Sequence, residues 1–393
     1  MSSERDEAVR PFADPEGSMT VDVSTRSRMA APIRAYAARF HAALGDRHHI
    51  ASPLGAWLLL ALCAPASTGR AREQLTDVLG MDIDAAFALA SQLIDRPHPA
   101  VPTALGVWTR DGLESAAFAR WLSWLPVRTA RGAMPTQAEL DEWVRRESLG
   151  VLERSAATVH PLTVLLLVSV LATRVKWMQP FDVEPADALG EASAWSHRLS
   201  RVLTSHDAGP HGELICGTGR VGDVAVHVAR AHGGVDVVSV IAEADVPPRD
   251  VLDAAHEIAI AIANDEPLAR RSLFELPIGE TARWTIVEQE IASADPDARL
   301  ESYRSVLPAW SATASLSLDD PALGFAMAAD ALEELLGERV VGREVIHSVR
   351  ARYSRTGFEA AAETSMTFFG MSQFGVQNRG LLRRAVLRFC QRQ

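Results

Sequence analysis

The sequence predicts an α+β fold with mostly antiparallel sheet, on three observations. Apolar residues recur at helical spacing through much of the first 150 residues. Valine-rich and alternating stretches dominate after residue 160. No regular alternation of strand and helix runs along the chain, as a parallel sheet would need. In order, residues up to Arg28 are polar and are expected to be a disordered tail. Ile33, Tyr36, Ala37, Phe40 and Leu44 trace an amphipathic helix from Ala30. Ser52-Pro53 is a capping hydroxyl followed by a first-turn proline, and opens a buried apolar helix. Glu73 to Gly80 reads as a helix with a C-terminal glycine, and Leu105–Trp108 as a short strand. Leu140, Trp143, Val144 and Val151 give one apolar stripe to a surface helix between Gln137 and Arg154. Thr163–Lys176 has the look of a strand buried on both faces. Strands follow at Val224–Ala229 and Val235–Ile241, then a helix over Pro248–Asn264. Strand-like pieces at Leu273–Leu276, Trp284–Val287 and Ala312–Leu318 complete the pattern.

Composition narrows the function. The 393 residues carry a formal charge of −11, and Lys176 is the only lysine. An acidic protein repels a phosphate backbone, so no nucleic acid partner is expected. No apolar run reaches membrane-spanning length, and no membrane partner is expected. The polar opening lacks a secretory signal, which points to the cytoplasm. Cys63, Cys216 and Cys390 are too few and too scattered for a disulfide framework or a thiolate metal site. No linker divides residues 29–393, which are expected to form one domain.

Enzymatic motifs are weak. Gly217, Gly219 and Gly222 match dinucleotide-binding letters, but an alternating strand follows them where a phosphate-binding helix should start, so a glycine hairpin is the better account. His206, Asp207, His211 and Glu213 sit in a polar loop without rigid ligand spacing. No nucleophile elbow occurs. No enzyme, metal or cofactor is expected.

Four segments resemble the serpin family, in the family's order. His49 to Leu54, continuing to Gly69 and Glu73-Gln74-Leu75, is similar to the N-x-x-x-S-P-x-S and G-x-T-x-x-Q-L patterns. Asp141-Glu142-Trp143-Val144 with Gly150 resembles I-N-x-W-V-x-x-x-T-x-G. Val168-Ser169, then Lys176-Trp177 and Pro180-Phe181, resembles L-V-N-A-x-x-F-K-G-x-W-x-x-P-F. His347, then Gly357-Phe358-Glu359-Ala360-Ala361-Ala362-Glu363-Thr364, resembles the family's histidine and reactive-loop hinge. The resemblance implies three mostly antiparallel sheets, eight or nine helices, and an exposed reactive loop over about residues 355–376.

It also implies a mechanism. A target protease attacks the loop, an acyl-enzyme forms, and the cut loop enters the main sheet before deacylation. Small side chains suit a segment that must wedge between strands, and Ala360, Ala361 and Ala362 supply them. The resemblance places the bait residue fourteen positions after the hinge glycine Gly357, at Met371 with Ser372 beyond the cut, and a loop shorter by a residue or two would place it at Gly370 or Phe369. A methionine fits the deep apolar pocket of elastase-, chymotrypsin- or subtilisin-like serine proteases, with cysteine proteases as a wider class. The protein is expected to act as a monomer, and by resemblance an extracellular site is the alternative to the cytoplasm. Ser52, Ser169 and His347 are implied to meet where the sheet parts, with Trp177 at the end where insertion begins. Phe358 replaces a small hinge residue and is expected to overpack, at about 1–3 kcal/mol. Only 22 residues follow Met371, so the closing C-terminal strands look truncated. The alternative function is a non-inhibitory or degenerate member that binds a partner or is only cleaved.

Overall fold

The computed structural model describes residues 23–370 apart from 113–114, 192, 194, 207–208, 292–298 and 338–339. The N-terminal half builds a helical layer: α1 (Val23–Leu44), α2 (Pro53–Cys63), α3 (Gly69–Leu79) and α4 (Ile83–Asp95). After β1 (Thr103–Thr109) come α5 (Ala116–Trp124), β2 (Ala130–Ala133) and α6 (Gln137–Glu147). Then follow β3 (Thr163–Lys176), β4 (Asp182–Pro185), β5 (Arg201–His206), β6 (Gly212–Thr218), β7 (Gly222–Arg230), β8 (Asp236–Ile241) and α7 (Pro248–Ala263). The rest is β9 (Gly279–Glu280), β10 (Thr285–Ile286), β11 (Arg304–Leu307), β12 (Trp310–Ser317), α8 (Phe325–Leu336), β13 (Val340–Tyr353) and β14 (Gly357–Gly370).

Helix α1 starts at Val23, inside the segment expected to be a disordered tail; residues 1–22 lie outside the described residues. Helix α2 is apolar all round, so it cannot lie on a surface. Ser52 caps it by accepting from the Gly55 N–H at 3.3 Å, and Trp57 to Cys63 are buried between α1, α4, α8 and the main sheet. Helix α6 begins on a capping box between Thr136 and Glu139. It ends at Glu147 rather than running to Arg154, because the chain turns through left-handed Leu149 and Gly150.

The main sheet has six strands in the order β12-β13-β14-β3-β1-β2, antiparallel except for the β1–β2 pair. One face packs on α2 through Val164, Leu165, Leu167, Met366 and Phe368. The other is covered by α6, whose Trp143 meets Trp108 edge-on at 5.0 Å over Val168, Val170 and Ala361. That double covering is why β3 reads as a continuous apolar run.

Three-stranded sheets β11-β5-β4 and β6-β7-β8 pack nearby, and β9–β10 form a two-stranded ribbon. Helix α7 seats Ala254 and Ile258 on β6 and β7. The glycine-rich letters at 217–222 close the β6–β7 hairpin, as expected. Leu273–Glu275, expected as strand, is a turn of 3₁₀ helix because Ser272 caps it by accepting from the Phe274 N–H.

Candidate functional site

The candidate site is the seam along which β14 lies between β13 and β3. Both ladders are filled: β14 runs in register from Phe358 opposite Tyr353 and Val175 to Phe368 opposite Arg343 and Leu165. A turn of three residues, Ser354-Arg355-Thr356, joins β13 to β14. Gly357 starts the strand because nothing larger fits. A Cβ there would come within 2.2 Å of the Val175 carbonyl oxygen, which is fixed in the ladder.

The turn is pinned by Trp177, whose indole N–H donates to the Ser354 carbonyl at 2.8 Å and whose backbone N–H donates to the Thr356 carbonyl at 3.2 Å. Its ring lies on Tyr353 at 4.9 Å and meets Phe181 at 5.8 Å. Phe358 is not overpacked. It is half-buried and completes an in-register row with Tyr353 on β13 and Trp310 on β12, with ring centroids 6.4 and 6.3 Å away. The exposed edge of the sheet, where Trp310 keeps 38% of its surface in solvent, leaves the ring room.

Six residues on from Phe358, Ser169, Thr364 and His347 form a second row across β3, β14 and β13. The Ser52 backbone N–H donates to His347 Nε2 at 3.0 Å. The ring proton therefore sits on Nδ1 and is donated to Thr364 Oγ1, 2.8 Å away. Burial holds this imidazole neutral, pushed down to about 3. Ser169 Oγ donates to the Gly55 carbonyl at 3.1 Å. The expected meeting of Ser52, Ser169 and His347 is thus found at the foot of α2, with Thr364 between Ser169 and His347. A Cβ on Gly55 would stand 3.4 Å from Ser52 Oγ and 3.8 Å from Thr364 Oγ1, so a serine would fit there.

On the opposite face, Glu363 is fully buried. Its carboxyl accepts from Ser155 Oγ at 2.5 Å and from the Ala156 N–H at 2.9 Å, both in the segment following α6. Sequence reading gave Glu363 no role, because its partners lie some two hundred residues earlier in the chain. Of the candidate metal loop, His211 bonds the Gln179 carbonyl and Glu213 accepts from Ser205, while Asp207 lies outside the described residues.

No protein-family model and no curated protein sequence matches the chain. Solved structures do. Reactive-loop-cleaved human thyroxine-binding globulin aligns with 88% of this chain and 100% of its own, at 14% identity and TM-score 0.61. Cleaved kallistatin complexed with heparin aligns over 88% and 100%, at 14% identity and TM-score 0.62. The thermophilic serpin Tengpin in its latent state aligns over 89% and 92%, at 13% identity and TM-score 0.58.

This chain has the serpin fold. The expectation of three mostly antiparallel sheets agrees with the two three-stranded sheets and the six-stranded main sheet, and eight α-helices occur among the described residues. One part of the expectation is corrected. The hinge Gly357, Phe358, Glu359, Ala360, Ala361, Ala362 and Thr364 does not lie in an exposed loop; in this serpin-fold chain it is part of β14, a central strand of the six with β13 on one side and β3 on the other. Small side chains and two unpaired ladders make that the more favourable place: the strand satisfies its backbone on both edges and buries Ala361, Ala362, Met366 and Phe368. Met371 and Ser372, and the tail expected to be truncated, lie outside the described residues.

Proposed function

We propose that the protein is an inhibitor of serine proteases that works by strand insertion. The observation that carries this reading is the fit of β14, which occupies the main sheet from Gly357 to Gly370 and ends one residue before the expected bait Met371. A strand of these 14 residues spans about 45 Å. In the working state this segment lies outside the sheet and offers the Met371–Ser372 bond. Attack by the protease serine forms an acyl-enzyme on Met371 and releases Ser372 as the new amino terminus. Insertion then carries the acylated end along the length of the sheet, and the protease is trapped if insertion outruns deacylation. Methionine at the bait directs the inhibitor to elastase-, chymotrypsin- or subtilisin-like enzymes.

A second reading draws on the same observation. The strand is inserted in an unbroken chain, and a protein resting in that state would hold no bait and inhibit nothing. Incubation with pancreatic elastase and subtilisin separates the readings. An SDS-stable complex of the summed masses is expected for the inhibitor. Clipping near Met371 without complex, or complete resistance to clipping, would contradict it.

A further inference from the structure

Glu363 is the one acidic side chain of β14 buried in the middle of the sheet, with 0% of its surface exposed. It lies in register with Val170 on β3 and Ser348 on β13, on the face covered by α6. We propose that Glu363 is a proton-coupled latch: it enters the sheet as the neutral acid, so insertion of β14 takes up one proton and is favoured by mild acid. The proposal rests on the reading of β14 as a strand that enters the sheet.

The surroundings support it from every side. Strand β3 brings only Val168, Val170 and Ala172 near this point. On β13 the nearest cation of the same face is Arg350. Its guanidinium lies 3.4 Å from the Val151 carbonyl and 3.6 Å from Glu153. Glu344, further along β13, is a second acid of that face. Within β14, Glu359 lies at the exposed end and pairs with Arg174 at 3.5 Å. Helix α6 brings Asp141, whose carboxylate accepts from Gln137 at 2.8 Å and from the Ser155 N–H at 3.0 Å. The charge nearest to Glu363 in effect is therefore another acid.

The Ser155 hydroxyl and the Ala156 and Ala157 backbone N–H groups do favour the ionised form. The Ser155 hydroxyl can also reverse, accepting from a protonated carboxyl while its oxygen still accepts from the Ala157 N–H at 3.0 Å. Burial outweighs the bonds and holds the carboxyl above its ordinary range, with Asp141 adding to the rise. In a loop outside the sheet the same side chain titrates as an ordinary glutamate. Raised in the inserted state, it favours insertion fully below the ordinary carboxylate range. That preference falls by about tenfold per pH unit as pH climbs toward the raised value.

The test is a carbon-13 titration of the glutamate carboxyls in the full chain after clipping near Met371, with amide exchange recorded on the same sample. The expected result is protected 357–370 amides and one carboxyl that ionises last of the glutamates. That signal should be absent from Glu363→Gln and shifted to still higher pH in Ser155→Ala, which removes a bond to the charged form. Protected amides without such a carboxyl would overturn the proposal while leaving insertion intact. Fast exchange of the 357–370 amides would sink the insertion reading, and the latch with it.

Discussion

His347 and Thr364 face each other across the seam of the main sheet, with Nδ1 2.8 Å from Oγ1 and both side chains fully buried. The threonine hydroxyl is the partner that β14 brings to an imidazole already held by the Ser52 backbone. A buried donor left alone costs about 1–3 kcal/mol. Thr364→Val keeps the shape and removes the acceptor. Chemical unfolding of the clipped protein should show a loss of that size, whereas Thr313→Val, at an exposed position of β12, should change stability by no more than about 0.5 kcal/mol.

Gly357→Ala places a methyl against the Val175 carbonyl, where 2.2 Å is available. The hinge end of β14 must then move off β3. We expect the fraction of protease trapped as SDS-stable complex to fall several-fold, with clipped product rising in its place. Wild-type trapping in this variant would show that Gly357 does not sit in the ladder.

Phe358→Ala separates packing from overpacking. If the ring obstructs the sheet, its removal stabilises the clipped form. The row with Tyr353 and Trp310 predicts the reverse, a loss of about 1–3 kcal/mol, below the range for a fully buried ring because Phe358 is only half-buried. Thermal unfolding of clipped wild type and variant decides the sign.

Three histidines are held neutral by burial: His41 and His227 are pushed down to about 4 and His347 to about 3, with neighbouring imidazoles adding to the first two. Their folded values lie below the free value of about 6.5, so the unfolded chain binds protons that the folded chain refuses. Stability from this source is complete above pH ~6.5 and is lost as pH falls from there toward 4 and then 3. The thermal midpoint should decline through this window. His347→Gln should lower the midpoint at neutral pH and flatten the decline, while a midpoint flat from pH 7 to 4 would contradict the burial of all three.

Much of the fold was legible because it is written locally. Helix α2 is apolar on every side, Thr136 and Glu139 form a complete capping box, and β3 carries apolar residues on both faces. The Ala360–Ala362 run advertised a segment shaped for close packing between strands. What the sequence hid depends on partners far along the chain. Phe358 looked too large because Trp310 and Tyr353, which make its place, lie in two other strands. Glu363 was given no role because its donors, Ser155 and Ala156, are some two hundred residues away. Leu273–Leu276 looked like strand because its apolar letters outweighed the one capping serine, Ser272.

Amide hydrogen exchange across residues 357–370, in protein clipped near Met371, tests the central claim most directly. A strand paired on both edges to β13 and β3 should exchange with the slowest amides of the molecule, alongside those of β3 itself. Exchange at the rate of an open loop would show that this segment is not a central strand of the sheet.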